Sequence, residues 1–365
     1  MIAVCDEILA APPGQKTASV GAGLTGIKNP PPRALNDAAP KAYSFPDGGY
    51  PPERPPVEEL PEFVRRIEGL FPCCRAFNGS LCLFRNQWIF AYRVERYDGI
   101  NRLALAFMDS GGEVVANQWL SMPDETGSDH WEDPRLCVVG DRLVLACAFV
   151  RFSPLTFCQQ RMFWLDGRTL QPVEEVEELN FGQNHHSGCV EKNWMPFELP
   201  DGALGIVYNQ RPHVVVDVAT RRGYTTPGLM GWRHGKLLSG RTPPLRVNPD
   251  YYLAFFGGHI KHALRWGRYF VGAHLFESKP PYRIIAATPD PIAWGSEASP
   301  TLYSSRPGSG YPLCHFPAGA AAVGSVIWLS AGINDSYNAL FRYELPKLIA
   351  GMRAVDQEGA WEGPP

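Results

Sequence analysis

The 365-residue chain contains no apolar run approaching the roughly 18 residues that a membrane-spanning helix requires. It has no C-x-x-C pair among its nine cysteines, no H-E-x-x-H, and no G-x-S-x-G elbow. These absences remove the usual sequence grounds for a zinc ribbon, a zincin or a serine hydrolase. Charge of one sign is also lacking. A net charge of −3 gives no basic footprint for nucleic acid or an anionic membrane surface. The start, MIAVCDEILAAPPGQK, carries acidic residues and no basic n-region, and the scattered cysteines read as reduced thiols. The expected compartment is the cytoplasm. Strands alternating with helices are missing too, which disfavours Rossmann and barrel architectures.

Proline and aromatic residues are abundant. Eleven of the 35 prolines fall before residue 60, between Pro12 and Pro56. That density excludes regular helix, so residues 1–60 are expected to form an extended or disordered arm. Within it, Gly21-Ala22-Gly23-Leu24-Thr25-Gly26 matches G-x-G-x-x-G by letter. No apolar strand precedes it, and Pro30-Pro31-Pro32 forbids the helix that a dinucleotide fingerprint must open.

From about residue 62 the texture changes to short runs rich in Val, Ile, Phe, Tyr and Trp. Examples are Trp88–Val94, Leu103–Met108, Leu143–Val150, Tyr251–Phe256, Tyr269–Phe276 and Val326–Leu329. Turn pairs such as Gly140-Asp141 and Asp201-Gly202 lie between such runs, as expected for antiparallel strands. A few helical stretches are expected, notably Val57–Leu70 and Pro346–Met352. About 300 residues of short strands suit a sandwich, a large barrel or a propeller, and five four-stranded blades fit the length.

The sharpest motif is His130-Trp131-Glu132-Asp133-Pro134-Arg135, running directly into an apolar hairpin. Adjacent strand residues point to opposite faces, so Glu132 and Asp133 are expected to have different roles. One would face a cavity while the other ties the backbone or pairs with Arg135. A surface ion pair at a turn is the bland alternative. The histidines His130, His185-His186 and His259-x-x-His262 do not form a convincing metal set, and no metal is expected.

This segment resembles the Glu-Asp-Pro-Arg signature of glycoside hydrolase family 130, the β-mannoside phosphorylases and related mannosidases. Further segments are similar in the same order. They are Phe77-Asn78-Gly79-Ser80 with WIFAYR ending at Arg93, Lys192-Asn193 with GALGIVYNQRP containing Arg211, and Thr242-Pro243-Pro244 with LAFFGGHI containing His259. YFVGAHL at 269–275 and Ala331-Gly332-Ile333-Asn334-Asp335 complete the series. The EKNWMPF and SAGIND variants resemble a divergent branch.

The resemblance implies an all-β, five-bladed propeller over residues 61–355, followed by a tail at 356–365. It implies an inverting phosphorylase, making or breaking β-mannosidic bonds through mannose 1-phosphate. Asp133 would be the proton donor, acting through a sugar hydroxyl. Arg93, Lys192, Arg211 and His259 would hold phosphate. Asn78, Glu132, Arg135, Asn193 and Asp335 would contact sugar. Inorganic phosphate would be a co-substrate, with no other cofactor. One carboxylic acid suffices when phosphate is the nucleophile, whereas a hydrolase needs a second carboxylate, here Glu191 or Asp335. A β-mannosyltransferase using a nucleotide sugar and a non-catalytic glycan-binding propeller remain alternatives. The expected partners are a sugar and phosphate, not nucleic acid or membrane, with self-association through the N-terminal arm as a further expectation.

Overall fold

The computed structural model describes residues 62–71, 75–123, 129–151, 157–176, 192–229, 232, 237–262, 265–294, 314–355 and 361–362. Expectations for the arm at 1–60, for His185-His186 and for Glu191 lie outside these residues. No helix among the described residues is long and apolar enough to cross a membrane.

Strand β1 (Glu62–Arg66) opens the described chain. Blade one follows as β2 (Arg75–Phe84), β3 (Gln87–Glu95), β4 (Asn101–Met108) and β5 (Val114–Trp119). Blade two contains β6 (His130–Val139), β7 (Arg142–Arg151), β8 (Phe157–Leu165) and β9 (Pro172–Glu175). Blade three contains β10 (Met195–Glu198), β11 (Leu204–Gln210), β12 (His213–Asp217) and β13 (Arg222–Thr226). Blade four has β14 (Leu237–Gly240), β15 (Leu245–Arg246), β16 (Tyr251–His262), β17 (Arg265–Glu277), β18 (Ile284–Ala287) and β19 (Ala293–Trp294). Blade five is β20 (His315–Val323), β21 (Val326–Ile333) and β22 (Tyr337–Glu344), completed by β1. The fold is a five-bladed β-propeller.

Pairing of β1 with β22 closes the ring, because the first described strand supplies the outer strand of the last blade. The expected helix at Val57–Leu70 is therefore corrected over its described part. Phe63 packs edge-on against Phe341 while the backbone joins the edge of blade five, so tertiary pairing overrides local preference. The second expected helix is present as α1 (Leu345–Ala350), with Pro346 in its first turn. After α1, β23 (Arg353–Ala354) pairs with β18 and β24 (Trp361–Glu362) pairs with β13. The segment expected to be a tail thus adds a strand to blade three.

Blades bury both faces against their neighbours, so strands read as continuous apolar runs instead of alternating ones. All eight residues of β4, NRLALAFM, are buried. Side-chain hydroxyls stitch the inner strands together. Ser80 Oγ accepts the Leu136 N–H from blade two at 2.9 Å. Ser330 Oγ accepts the Leu81 N–H at 2.9 Å and donates to the Gly79 carbonyl at 2.8 Å, joining blade five to blade one. A Cβ on Gly319 would lie 2.1 Å from the Leu81 nitrogen, so that seam needs glycine.

Candidate active site

The site is built from irregularities in the inner strands. Between Glu132 and Arg135 the β6–β7 register slips, and Asp133-Pro134 lie opposite the single residue Cys147. Between Phe77 and Ser80 the β2–β3 register slips in the same way, with Asn78-Gly79 opposite Tyr92. These are β-bulges, which bend a strand and re-aim its side chains. Asn78 and Asp133 consequently occupy equivalent places in successive blades, with φ of 51° and 50°. Asn193, at φ 68°, and Asp335, at φ 48°, share this left-handed conformation, which is uncommon for residues with a Cβ.

The bulge overturns the expectation that Glu132 and Asp133 face apart, because alternation fails where a residue is inserted. One guanidinium meets both: Arg93 Nη2 lies 3.0 Å from Glu132 Oε1, and Nη1 lies 3.6 Å from Asp133 Oδ1. Arg93 also lies over the Phe77 ring, 4.6 Å from its centroid. Asn78 Nδ2 donates to Asp133 Oδ1 at 2.9 Å. Asn101 Nδ2 donates to Glu132 Oε1 at 2.9 Å and adjoins His130 Nδ1 at 3.1 Å. Among the described residues Arg135 forms no salt bridge to a carboxylate. It is almost wholly buried and donates to the carbonyls of Asp133 and Pro134 at 2.8 and 3.1 Å. Its Nη2 reaches Asn193 Oδ1 at 3.5 Å, linking blade two to the segment before blade three.

Electrostatics follow from this packing. Burial pushes the Asp133 carboxyl upward, but Arg93, then Lys192 and Arg135, together with the Asn78 hydrogen bond, hold it below the usual range. Burial raises Asp335 instead; Arg93 opposes that shift and Asp133 reinforces it. Lys192 is exposed by its own surface area, yet it stands over carboxylates walled in by the blades. Burial therefore counts first against its charge, and attraction to Asp133 and Glu132 more than restores it.

A further cation completes the group. Arg241, between β14 and β15, is 2% exposed and lies 4.3 Å from the Phe316 ring centroid and 5.7 Å from that of Tyr269. Burial lowers its pKa, opposed by the charges of Cys314, Tyr269 and Asp133. Its Nε has no hydrogen-bond partner among the described residues. Nothing in its sequence context marks it as a site residue, although it immediately precedes Thr242-Pro243-Pro244.

Arg93, Lys192, Arg135, Asn78, Asn193 and Asp335 are therefore brought together around Glu132 and Asp133. Arg211 is engaged elsewhere, donating to the carbonyls of Leu229 at 3.0 Å and Trp232 at 2.7 Å. The backbone of His259 pairs with Tyr269, but its side chain lies outside the described residues. Among the described residues, no three His, Cys, Asp or Glu side chains form a metal-binding group. A groove lined by Glu62, Ile292, Arg342, Lys347 and Leu348 contains none of the candidate residues.

No family profile and no curated protein matches the chain. Solved structures do match its fold. One is the β-1,2-mannobiose phosphorylase of Listeria innocua in complex with β-1,2-mannobiose, at TM-score 0.56 and 14% identity, covering 78% of this chain and 94% of that one. A glycosyl hydrolase from Bacteroides ovatus gives TM-score 0.54 and 16% identity, covering 87% and 99%. A structure described with the GH130 mannoside phosphorylases, among them hydrolases targeting β-1,2-mannosidic linkages in Candida mannan, gives 0.56 and 15%, covering 84% and 97%. The shared class is the five-bladed propeller. The resemblance seen in the sequence is thus matched at the level of fold.

Proposed function

We propose that this protein is a carbohydrate-active enzyme that cleaves or forms β-mannosidic bonds by inverting phosphorolysis. The observation that carries the reading is a charge imbalance around Asp133. Four cations, Arg93, Arg135, Lys192 and Arg241, face three carboxyls, Glu132, Asp133 and Asp335, of which Asp335 is biased toward its neutral form. Such a site favours an added anion, and inorganic phosphate is the proposed co-substrate, with no other cofactor.

In this reading Arg93 positions the paired carboxyls, while Lys192, Arg241 and Arg135 attract phosphate. Asn78, Asn193 and Asp335 face the sugar. A phosphate oxygen bonds to the anomeric carbon as the glycosidic C–O bond breaks, and the departing oxygen takes the proton of Asp133 through a sugar hydroxyl. Asp133 is ionised while the cations act on it alone. A phosphate anion against those cations cancels part of their pull, so the carboxyl becomes a competent acid when the co-substrate is bound.

Incubation with β-1,2-mannobiose, with and without inorganic phosphate, tests the reading. The expected product is α-mannose 1-phosphate, formed only when phosphate is present. Free mannose released without phosphate would establish hydrolysis instead. Transfer from a nucleotide sugar alone, indifferent to phosphate, would establish a mannosyltransferase.

A further inference from the structure

The hairpin between β3 and β4 joins two residues of the candidate site. Arg93, near the end of β3, contacts Glu132 and Asp133, and Asn101, at the start of β4, donates to Glu132. Tyr97 lies at the tip, four residues from each, and is 88% exposed, the highest value among the exposed large apolar side chains. The turn is braced. Arg96 N–H donates to the Ile100 carbonyl at 3.1 Å, Gly99 N–H to the Arg96 carbonyl at 2.9 Å, and Ile100 N–H to Asp98 Oδ1 at 3.0 Å. An Arg96–Asp98 ion pair at 3.1 Å flanks the ring. Gly99, at φ 79°, supplies the conformation that the turn needs.

A phenol on a braced turn is a flat surface already held in place, so binding there orders little else. At the rise of an extended strand the segment from Arg93 to Tyr97 spans at most roughly 13 Å, shortened by the turn that follows Glu95. Tyr97 therefore stands at the outer end of the hairpin whose two strands hold Glu132 and Asp133. No hydrogen bond or ring contact to Tyr97 is present among the described residues, whereas the equivalent turn residue of blade three, Arg211, is tied to two carbonyls.

We propose that Tyr97 forms a distal sugar subsite, on which a ring of the leaving oligosaccharide stacks, making this protein selective for chains longer than a disaccharide. This rests on the mannoside reading above and names its substrate class. The Tyr97 ring supplies the stacking face, and its hydroxyl together with Arg96 and Asp98 supplies polar contacts at the rim.

A ladder of β-mannosides with two, three and four rings, assayed with phosphate, tests the subsite. The full-length protein is expected to show kcat/KM rising with chain length. Tyr97→Ala should lose ~3- to 10-fold on the longer substrates while leaving the disaccharide unchanged, and Tyr97→Phe should retain the preference. An equal loss at every length, or no loss at any, would overturn the subsite. Equilibrium binding of the same ladder separates this outcome from failure of the catalytic reading. Absence of turnover by wild type on all substrates sinks phosphorolysis, while length-dependent binding that Tyr97→Ala abolishes still supports the subsite. Binding that is indifferent to Tyr97 removes it.

Discussion

Asn78 Nδ2 donates to Asp133 Oδ1 at 2.9 Å, and the two residues sit at equivalent bulges of neighbouring inner strands, with φ of 51° and 50°. The bond crosses from blade one to blade two. A local distortion that would be a cost in an ordinary strand is repeated, and in both cases it presents a polar side chain to its neighbour.

With Asp133 as the acid, Asp133→Asn should reduce turnover by about 10²- to 10⁴-fold. Asp335→Asn should act mainly on KM for the sugar. The two variants assayed side by side on mannobiose check the assignment. A larger kcat loss for Asp335→Asn would transfer the acid role to that residue, whose carboxyl burial already pushes upward.

Removing the Asn78 hydrogen bond should change the protonation of Asp133. The bond is among the interactions that hold the carboxyl low, so Asn78→Ala should move the alkaline limb of the pH profile, where activity is lost as the acid ionises, to higher pH. A pH series of kcat/KM for wild type and variant tests this, with an unchanged limb as the contrary result.

Much of this architecture is legible in the sequence, for physical reasons. Runs such as Leu103–Met108 and Val326–Leu329 mark strands because blades bury both faces. Collinear segments from Asn78 to Asp335 locate most of the residues that meet at the site. Bulges are different. Period-two alternation separates Glu132 from Asp133, and only the register against β7 reveals the inserted residue that lets both meet Arg93. Arg241 was equally hidden, since a lone arginine in SGRTPP reads as solvated until its burial against Phe316 is seen. The strand Glu62–Arg66 was hidden because its partner lies about 280 residues away, at Arg342.

Ring closure depends on the seam between blades five and one. Ser330→Ala would leave the buried Leu81 N–H without its acceptor, at a cost of about 1–3 kcal/mol. Gly319→Ala would press a methyl onto the Leu81 backbone and cost about 3 kcal/mol. Denaturant midpoints at constant slope measure both. A neutral Gly319→Ala would mean that the seam opens more easily than the packing implies.

Acid stability should be governed by histidines buried without charge. His213 is held down at about 3 and His315 at about 4 by burial, and His274 is lowered by burial and by His213. The unfolded chain takes up these protons below pH ~6.5 and the folded one does not. Stability is therefore full above that value and falls as the pH drops toward the folded values, by about 2 kcal/mol per histidine at pH 5. Unfolding curves between pH 7 and 5 test the slope. His274→Phe should flatten it, and an unchanged slope would count against the buried pair as its source.

The central claim is that the positive excess beside Asp133 recruits phosphate, and calorimetric titration of inorganic phosphate into the wild-type protein and Arg241→Met measures it directly. The account predicts one phosphate per chain for wild type, with affinity reduced about 10- to 100-fold in the variant. Equal affinity in the two proteins, or no phosphate binding by wild type, would contradict it.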